Sequence, residues 1–397
     1  MEIDLDREYS RIRLLCSIIV VVKTRIAIIS PYAKTIASFR GHLIKELVAH
    51  GCNVFVLAPD YDDFTLEQVR SLGADPITYK LDRTTLNIFK NFASFFEVRR
   101  LLLRLKPDVV FGYNHKPVML AAMAGRSSGG KRLIGMIEGL GFAFTPSSEQ
   151  LLKRKVAKFM LVGAYRIALP RLDYVILLNS DDMKDLSRLG LLNKDKALVL
   201  GGIGLDLDEW AFLPAHLEPI TFTMVGRLIK EKGVLEFVKA SMLVKEKYPE
   251  TRFMLLGGED RGPSAVSRYD LERWVAEGWI EWPGRVDNIK DYLSRTSVFV
   301  LPSYREGIPR STQEAMALGR PIITTNVPGC RETVEEGFNG FLVPPKDPNA
   351  LAEAMIRLIE NPSLIVEMGV NSRKLAEERY DIKKTDAILI KLLLGVD

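Results

Sequence analysis

Short apolar runs recur along this chain, and longer amphipathic stretches separate them. RIAIIS at 25–30 is the first. NVFVLAP, PITYKL, VVFGY, KRLIGMIEG, YVILLNS (174–180) and ALVLGG (197–202) follow. A continuous apolar run of this length, closed by turn residues, predicts a strand buried on both faces. Alternation with helical segments predicts βα units wound into a parallel sheet, hence an α/β fold. A second series starts near Pro219 with TFTMVG, RFMLLGG, WIEWPGRVDN and SVFVLP, and closes with PIITT and GFLVP. Between the two series, GIGLDLDEWAFLPAHLEP reads as a linker from its Gly, Asp and Pro content. The expected organisation is an extension over 1–24, a first Rossmann-like domain over 25–212, a second over 213–379 and a terminal segment over 380–397.

Residues 1–24 carry LLCSIIVVV, an apolar run of nine positions, where a spanning helix needs about 20. The mixed-charge flank and the lack of a small-residue cleavage site do not fit a signal peptide. A flexible extension, or a start codon upstream of a natural start near Val21, is the preferred reading over an interfacial anchor.

Composition narrows the function classes. A chain of 397 residues is long enough for two domains. Three scattered cysteines fit a reducing compartment, and four histidines argue against a multi-His metal site. The net charge is +5, yet residues 80–172 hold 17 Lys/Arg against 5 Asp/Glu. Two helices sit there. The one over 87–105 is rich in Phe and Arg, with Phe92, Phe95 and Phe96 near Arg99, Arg100 and Arg104. The one over 148–169 sets Leu152, Val156, Phe159, Met160 and Ile167 on one face, with Lys153, Arg154, Lys155 and Lys158 beside them. A basic amphipathic helix reads as interfacial. A helix packed on the sheet with a solvated basic rim fits the pattern equally. No nucleic-acid motif accompanies the charge, so the expected anionic partner is a membrane surface.

The candidate chemistry lies in the second series. SVFVLPSYREGIPRSTQEAMALG (297–319) reads as strand, tight loop and short helix, with Glu306 and Glu314 eight positions apart. Gly307 permits close backbone approach to a ligand. Pro309 needs no amide donor at a helix start, and the helix N-terminus suits a phosphate. Two acids around such a point can hold the hydroxyls of a sugar and a ribose. The same residues also fit an S-x-x-E capping box from Ser311 to Glu314. Upstream, TFTMVGRLIKEKG places Arg227 and Lys232 in the first loop of a βαβ unit. Strand carboxyl ends are where open α/β sheets bind ligands, so two cations there can face a diphosphate. A solvated pairing with Glu231 is the alternative. Asp206-Leu207-Asp208 has a D-x-D form but lies in the linker, and is read as chance.

GR-x4-KG followed by E-x7-E resembles the retaining family-4 glycosyltransferases of the GT-B fold. NHKP (114–117), EGLG (138–141), GGEDRGPSA (257–265) and PSYREGIP resemble the bacterial subfamily that extends sugars on an undecaprenyl-diphosphate carrier, including a GalNAc transferase of N-glycan assembly. The resemblance runs from about Arg25 to the C-terminus. It implies two Rossmann-like domains facing across a cleft, with a terminal helix (about Ile382 to Leu394) crossing back to the first. It implies that Arg227, Lys232, Glu306, Gly307, Ile308, Pro309 and Glu314 bind the donor, and that Arg285 and Val286 line the base pocket by backbone contacts. His115 would sit beside the transferred sugar. Lys116, Glu138 and Gly139 would face the acceptor, with Glu138 orienting or deprotonating its hydroxyl. Many members carry Gly-Gly after the first strand. Here Ala37-Ser38-Phe39-Arg40 stands instead, with Ser38 expected to cap the helix near the donor and Arg40 expected at the diphosphate or an acceptor phosphate.

The reaction so implied is transfer with retention from a UDP-sugar, such as an N-acetylhexosamine (GalNAc or GlcNAc), to a polyprenyl-diphosphate-linked saccharide. It would need no cofactor and no divalent metal, at the cytoplasmic face of the cell membrane. Use of a GDP-sugar, a soluble or other lipid acceptor, or GT-B epimerase chemistry are the alternatives. A dehydrogenase would want G-x-G-x-x-G after the first strand, which PYAKTIASFRG lacks. A membrane-bound scaffold with a degenerate site is opposed by the intact Arg227, Lys232, Glu306 and Glu314 set.

Overall fold

The computed structural model describes residues 23–81, 88–145, 151–260, 262 and 264–395. The expected extension lies outside these residues, save for its last two positions. The first sheet has seven strands: β1 (Arg25–Ile29), β2 (Asn53–Ala58), β3 (Asp75–Thr78), β4 (Val109–Tyr113), β5 (Arg132–Ile137), β6 (Tyr174–Leu177) and β7 (Ala197–Val199). Their spatial order is β3-β2-β1-β4-β5-β6-β7. The second sheet has six: β8 (Thr221–Val225), β9 (Arg252–Leu256), β10 (Glu281–Gly284), β11 (Val298–Leu301), β12 (Ile322–Thr325) and β13 (Gly340–Val343), in the order β10-β9-β8-β11-β12-β13. All pairings are parallel.

The sheets form because their strands are apolar on both faces. Ile26, Ala27, Ile28 and Ile29 are fully buried, as are Val298 to Leu301. Helices cover both faces. In the first domain these are α1 (Ile36–Ala49), α2 (Asp63–Ser71), α3 (Ile88–Leu105), α4 (His115–Leu120), α5 (Leu151–Ala168) and α6 (Ser180–Arg188). In the second they are α7 (Val234–Lys247), α8 (Arg268–Ala276), α9 (Ile289–Ser294), α10 (Arg310–Ala317), α11 (Pro348–Glu360) and α12 (Pro362–Arg379), and α13 (Ile382–Leu394) follows. Each sheet reverses its winding beside its first strand, between β1 and β4 and between β8 and β11. Ligands in such sheets bind outside the strand carboxyl ends at that switch point. Both crevices are therefore fixed by topology before any side chain is considered.

Two chain segments run side by side between the domains. Leu205 N–H donates to Tyr380 O at 2.9 Å, and Ile382 N–H donates to Leu205 O at 3.0 Å. From there α13 packs on the first domain, where Asp386 meets His42 of α1 at 2.7 Å and Arg132 donates to Leu392 O at 2.9 Å. The linker is pinned by Arg320, which is fully buried and donates to the carbonyls of Leu213, Pro214 and Thr296. The D-x-D pair belongs to this linker. Asp206 Oδ1 accepts from Asp208 N and Glu209 N, while Asp208 pairs with Lys383 at 2.9 Å.

Two local expectations are corrected. Helix α1 starts at Ile36, directly from a 3-10 turn over Ala33–Thr35, with Thr35 in the cap position. Ser38 therefore lies inside the first turn, and its hydroxyl bonds back to Thr35 O at 3.4 Å. It caps nothing, because the turn feeds the helix without a break. Helix α10 starts at Arg310 behind Pro309, which has no side-chain oxygen to offer. The Ser311–Glu314 capping box does not form, because Glu314 bonds Arg310 Nε at 3.1 Å instead. Among the described residues no helix is long and apolar enough to cross a membrane.

Candidate active site

The second-domain half of the crevice is built from the loops after β8 and β11. Lys232 lies in a 3-10 turn over Lys230–Lys232, and Gly233 ends that turn at φ +78°. A Cβ on Gly233 would stand 2.1 Å from Pro302 O, so only glycine lets the two loops meet. Their meeting sets Lys232 Nζ 2.5 Å from Glu306 Oε1, with both side chains largely buried (20 % and 12 % exposed). Glu231 turns the other way and accepts from Ser264 Oγ at 2.8 Å. Arg227 is 71 % exposed and pairs with Asp260 at 3.7 Å. The structure thus joins Lys232 to Glu306 and stations Arg227 at the rim, with no shared bond between the two cations.

Glu314 lies one helical turn inside α10 and bonds to Arg310. Burial pushes its carboxyl up, offset by the Arg310 guanidinium. Arg310 also donates to Gly204 O in the linker and lies over the Phe39 ring. Ile308 and Pro309 are buried, and Ser311 Oγ donates to Val225 O at 3.2 Å, tying α10 to the end of β8. On the far side of β9, Arg285 is exposed and Val286 half-buried, close to Gly258.

The first-domain half sits at the end of β4 and β5. Asn114 has φ 71° and ψ 164°, a conformation that costs energy in any residue but glycine and is held by its surroundings. Its amide donates to Glu138, and Arg40 donates to the other oxygen of the same carboxylate. Arg40 is 1 % exposed and lies over the Tyr113 ring. Arg40, expected at the diphosphate or an acceptor phosphate, has its guanidinium held here by the Glu138 carboxylate. Burial raises the Glu138 carboxyl, while Arg40 and Asn114 pull it down. His115 follows Asn114 and shares a 2.5 Å hydrogen bond with the Tyr165 hydroxyl through Nδ1. Burial lowers its ring to about 4, so it is neutral near pH 7. Lys116 is half-buried on the first turn of α4.

The halves touch through backbone. A Cβ on Gly307 would fall 1.7 Å from Glu138 O, and one on Gly139 would fall 3.0 Å from Gly307 N. Asn179, fully buried at the end of β6, donates to Gly307 O at 2.7 Å and caps α6 with its other side-chain atom. Arg305 reaches across to Asp182 and Asp185, and Glu332 accepts from Ser180 N at 3.0 Å. Sequence reasoning passed over Asn179, Asp182, Asp185, Arg305 and Tyr165. NSDDMKD at a strand end and an arginine directly before Glu306 were the available signals. Among the described residues no group of three His, Cys, Asp or Glu is placed to hold a metal ion.

The profile described as "Glycosyltransferase Family 4" matches residues 41–206, and "Glycosyl transferases group 1" matches 219–361. The chain is 28 % identical over 362 residues to the N,N'-diacetylbacillosaminyl-diphospho-undecaprenol alpha-1,3-N-acetylgalactosaminyltransferase of Campylobacter jejuni, covering 88 % of this chain and 93 % of that protein. It is 26 % identical to the UDP-Gal:alpha-D-GlcNAc-diphosphoundecaprenol alpha-1,3-galactosyltransferase of Escherichia coli, covering 76 % and 79 %. In fold it matches sucrose-phosphate synthase of Thermosynechococcus elongatus with a TM-score of 0.79 at 19 % identity, over 94 % of this chain and 99 % of that one. HepE of Anabaena, solved with UDP, matches with a TM-score of 0.74 at 16 % identity, over 94 % and 100 %. Two profiles, one on each half of the crevice, and two parallel sheets in GT-B arrangement make this chain a family-4 glycosyltransferase.

Proposed function

We propose that this enzyme transfers a sugar, with retention, from a UDP-sugar to a saccharide carried on polyprenyl diphosphate. The donor sugar is an N-acetylhexosamine such as GalNAc or GlcNAc. The observation that carries the reading is the Lys232–Glu306 pair at the β8/β11 switch point, whose neighbours Arg305 and Gly307 meet Phe144 and Glu138 of the other domain. The names of the Campylobacter and Escherichia relatives support the diphospho-undecaprenol acceptor, and the latter supports UDP.

In this scheme Glu306 accepts hydrogen bonds from sugar hydroxyls, and Lys232 holds it and faces the diphosphate with Arg227. Glu314 serves the ribose, with Arg310 anchoring it. The bond from the anomeric carbon to the diphosphate oxygen breaks as the acceptor oxygen adds on the same face. The acceptor proton passes to the departing diphosphate oxygen. Negative charge grows on that diphosphate, where Lys232, Arg227 and the N-terminus of α10 stabilise it. These cations take the charge-neutralising task, so the reaction needs no divalent metal. His115, neutral, hydrogen-bonds the sugar. Glu138 has both oxygens engaged by Arg40 and Asn114, so its part is to orient the acceptor loop rather than to take a proton.

The protein works at the inner membrane face. Phe92, Phe96 and Leu103 of α3 and Leu152, Val156, Phe159 and Ile167 of α5 are exposed apolar side chains. Lys153, Lys155, Lys158 and Arg166 are exposed around the α5 group. Apolar anchors ringed by cations fit an anionic lipid surface.

The test is nucleotide release with EDTA present, from a panel of UDP- and GDP-sugars, with and without a short polyprenyl-diphosphate-linked sugar. Acceptor-dependent UDP release from one donor is the expected result. Release of GDP, release that ignores the lipid acceptor, or activity abolished by EDTA would each overturn the corresponding part.

A further inference from the structure

Arg305 stands one residue before Glu306, yet its bonds are all to the first domain. It donates to Asp182 Oδ1 at 2.5 Å and to Asp185 Oδ2 at 2.6 Å, both on α6. It also donates to Phe144 O at 3.3 Å, and its guanidinium lies 5.8 Å from the Phe144 ring centre. Lys158 of α5 covers the same ring at 4.5 Å. The Arg305 side chain is 5 % exposed and Asp182 fully buried. A buried ion pair across two domains contributes little to stability unless its geometry is good, and fixing one arrangement is a use such pairs can serve. The contacts continue along the chain: Asn179, three residues before Asp182, holds the carbonyl of Gly307. First-domain side chains thus grip both neighbours of Glu306.

We propose that Arg305, with Asp182 and Asp185, is the clasp that holds the two domains closed and sets Glu306 in position against the acceptor loop. Arg305 is a positioning residue. It touches neither sugar, and acts by keeping the 138–145 loop and Glu306 in register. When the clasp opens, the loop after β11 loses its first-domain supports on both sides, while Lys232, Arg227 and the rest of the donor half stay intact. Donor binding and transfer should therefore respond differently. This kinetic part rests on the transfer reaction proposed above.

The experiment uses the full chain. Removing Arg305 alone strands two carboxylates, so the main variant is Arg305→Met with Asp182→Asn and Asp185→Asn, which leaves no buried charge unpaired; Arg188, which also pairs with Asp185 at 4.0 Å, is 78 % exposed and stays solvated. Arg305→Lys is its companion, because one ammonium cannot serve both carboxylates in a fork. Small-angle X-ray scattering, thermal melting, UDP titration and acceptor-dependent UDP release are recorded on each. The triple variant should melt as a folded protein and show a larger radius of gyration. Its UDP affinity should stay within about threefold, and its kcat should fall on the order of 10²-fold, the scale expected of a misplaced catalytic group. Arg305→Lys should fall between. A triple variant with wild-type scattering, or with wild-type kcat, would overturn the clasp. So would parallel losses in UDP affinity and turnover, the mark of a general structural defect. Scattering needs no substrate: if the wild type releases no nucleotide from any donor, the transfer reading fails and the clasp is still decided by shape.

Discussion

Lys232 Nζ donates to Glu306 Oε1 at 2.5 Å, across 74 positions of sequence and from two different strand ends. The bond exists because β8 and β11 are neighbours in the sheet and Gly233 lets their loops interleave. Glu306→Gln keeps the size and removes the charge-assisted acceptor. We expect kcat to fall by about 10²–10³-fold, the loss typical of one aimed polar group, with UDP affinity little changed. Lys232→Met should lose turnover and also UDP affinity, since the lysine faces the diphosphate. Steady-state kinetics with UDP titration checks both, and near-normal rates in either variant would remove the pair from the site.

His115 gives a prediction about pH. Burial lowers its ring to about 4, so the neutral form persists down to that value. Among the four histidines of the chain, its ring resonance should stay fixed from pH 8 to pH 5.5. Assignment comes from loss of the signal in His115→Gln. A midpoint near 6.5, the ordinary value, would show that the imidazole is solvated rather than buried.

The strands were legible because they are buried on both faces. VVFGY and RIAII are continuous apolar runs, and β4 and β1 occupy them almost residue for residue. Lys232 and Glu306 were legible because loops at parallel strand ends face a crevice by topology. What stayed hidden was pairing. No spacing reveals that Arg40 meets Glu138 98 positions away, or that Arg305 turns to α6. Local rules also misled where a tertiary partner was stronger. Glu314 has the form of a capping residue, yet Arg310 four positions earlier takes it.

The exposed face of α5 is open to a direct test. Leu152 and Phe159 are 76 % and 80 % exposed, so replacing them with glutamate costs the fold little. Each added acid opposes an anionic surface that attracts Lys and Arg at about 1 kcal/mol apiece. Leu152→Glu with Phe159→Glu should abolish sedimentation with phosphatidylglycerol vesicles. Turnover of a short, soluble acceptor analogue should remain. Unchanged vesicle binding would mean the basic helices serve another purpose.

Asp386 links α13 to α1, and its surroundings set a pH slope. Burial pushes its carboxyl up to about 6, while His42 and Arg40 lower it and Glu46 raises it further. A carboxyl raised on folding favours the protonated native state. Its contribution is full below the ordinary Asp value of about 3.9, and is lost as pH rises through about 6. Wild-type melting temperature should therefore fall relative to Asp386→Asn between pH 4 and pH 7. A difference that stays constant across that range would show that the aspartate titrates normally.

Gly307 is the residue on which the two domains close. A Cβ there would fall 1.7 Å from Glu138 O, far inside contact distance and against backbone that cannot rotate away. Gly329 backs the β11–α10 loop closely, since a Cβ on it would fall 2.2 Å from Gly307 O, so the clash is relieved by withdrawal of the first domain. Gly307→Ala should thus leave both domains folded, with a melting temperature close to wild type, and hold them apart. Glu306 then stands displaced from the acceptor loop, and a shift near 1 Å costs on the order of 10²-fold in rate. The loss should appear in kcat for transfer, with UDP binding retained, because the donor half needs only the second domain. Glu138 is untouched by the substitution, so the variant separates the contact from the chemistry. Full activity in Gly307→Ala would mean that transfer proceeds from a more open arrangement, and that the contact between Gly307 and Glu138 is incidental to catalysis.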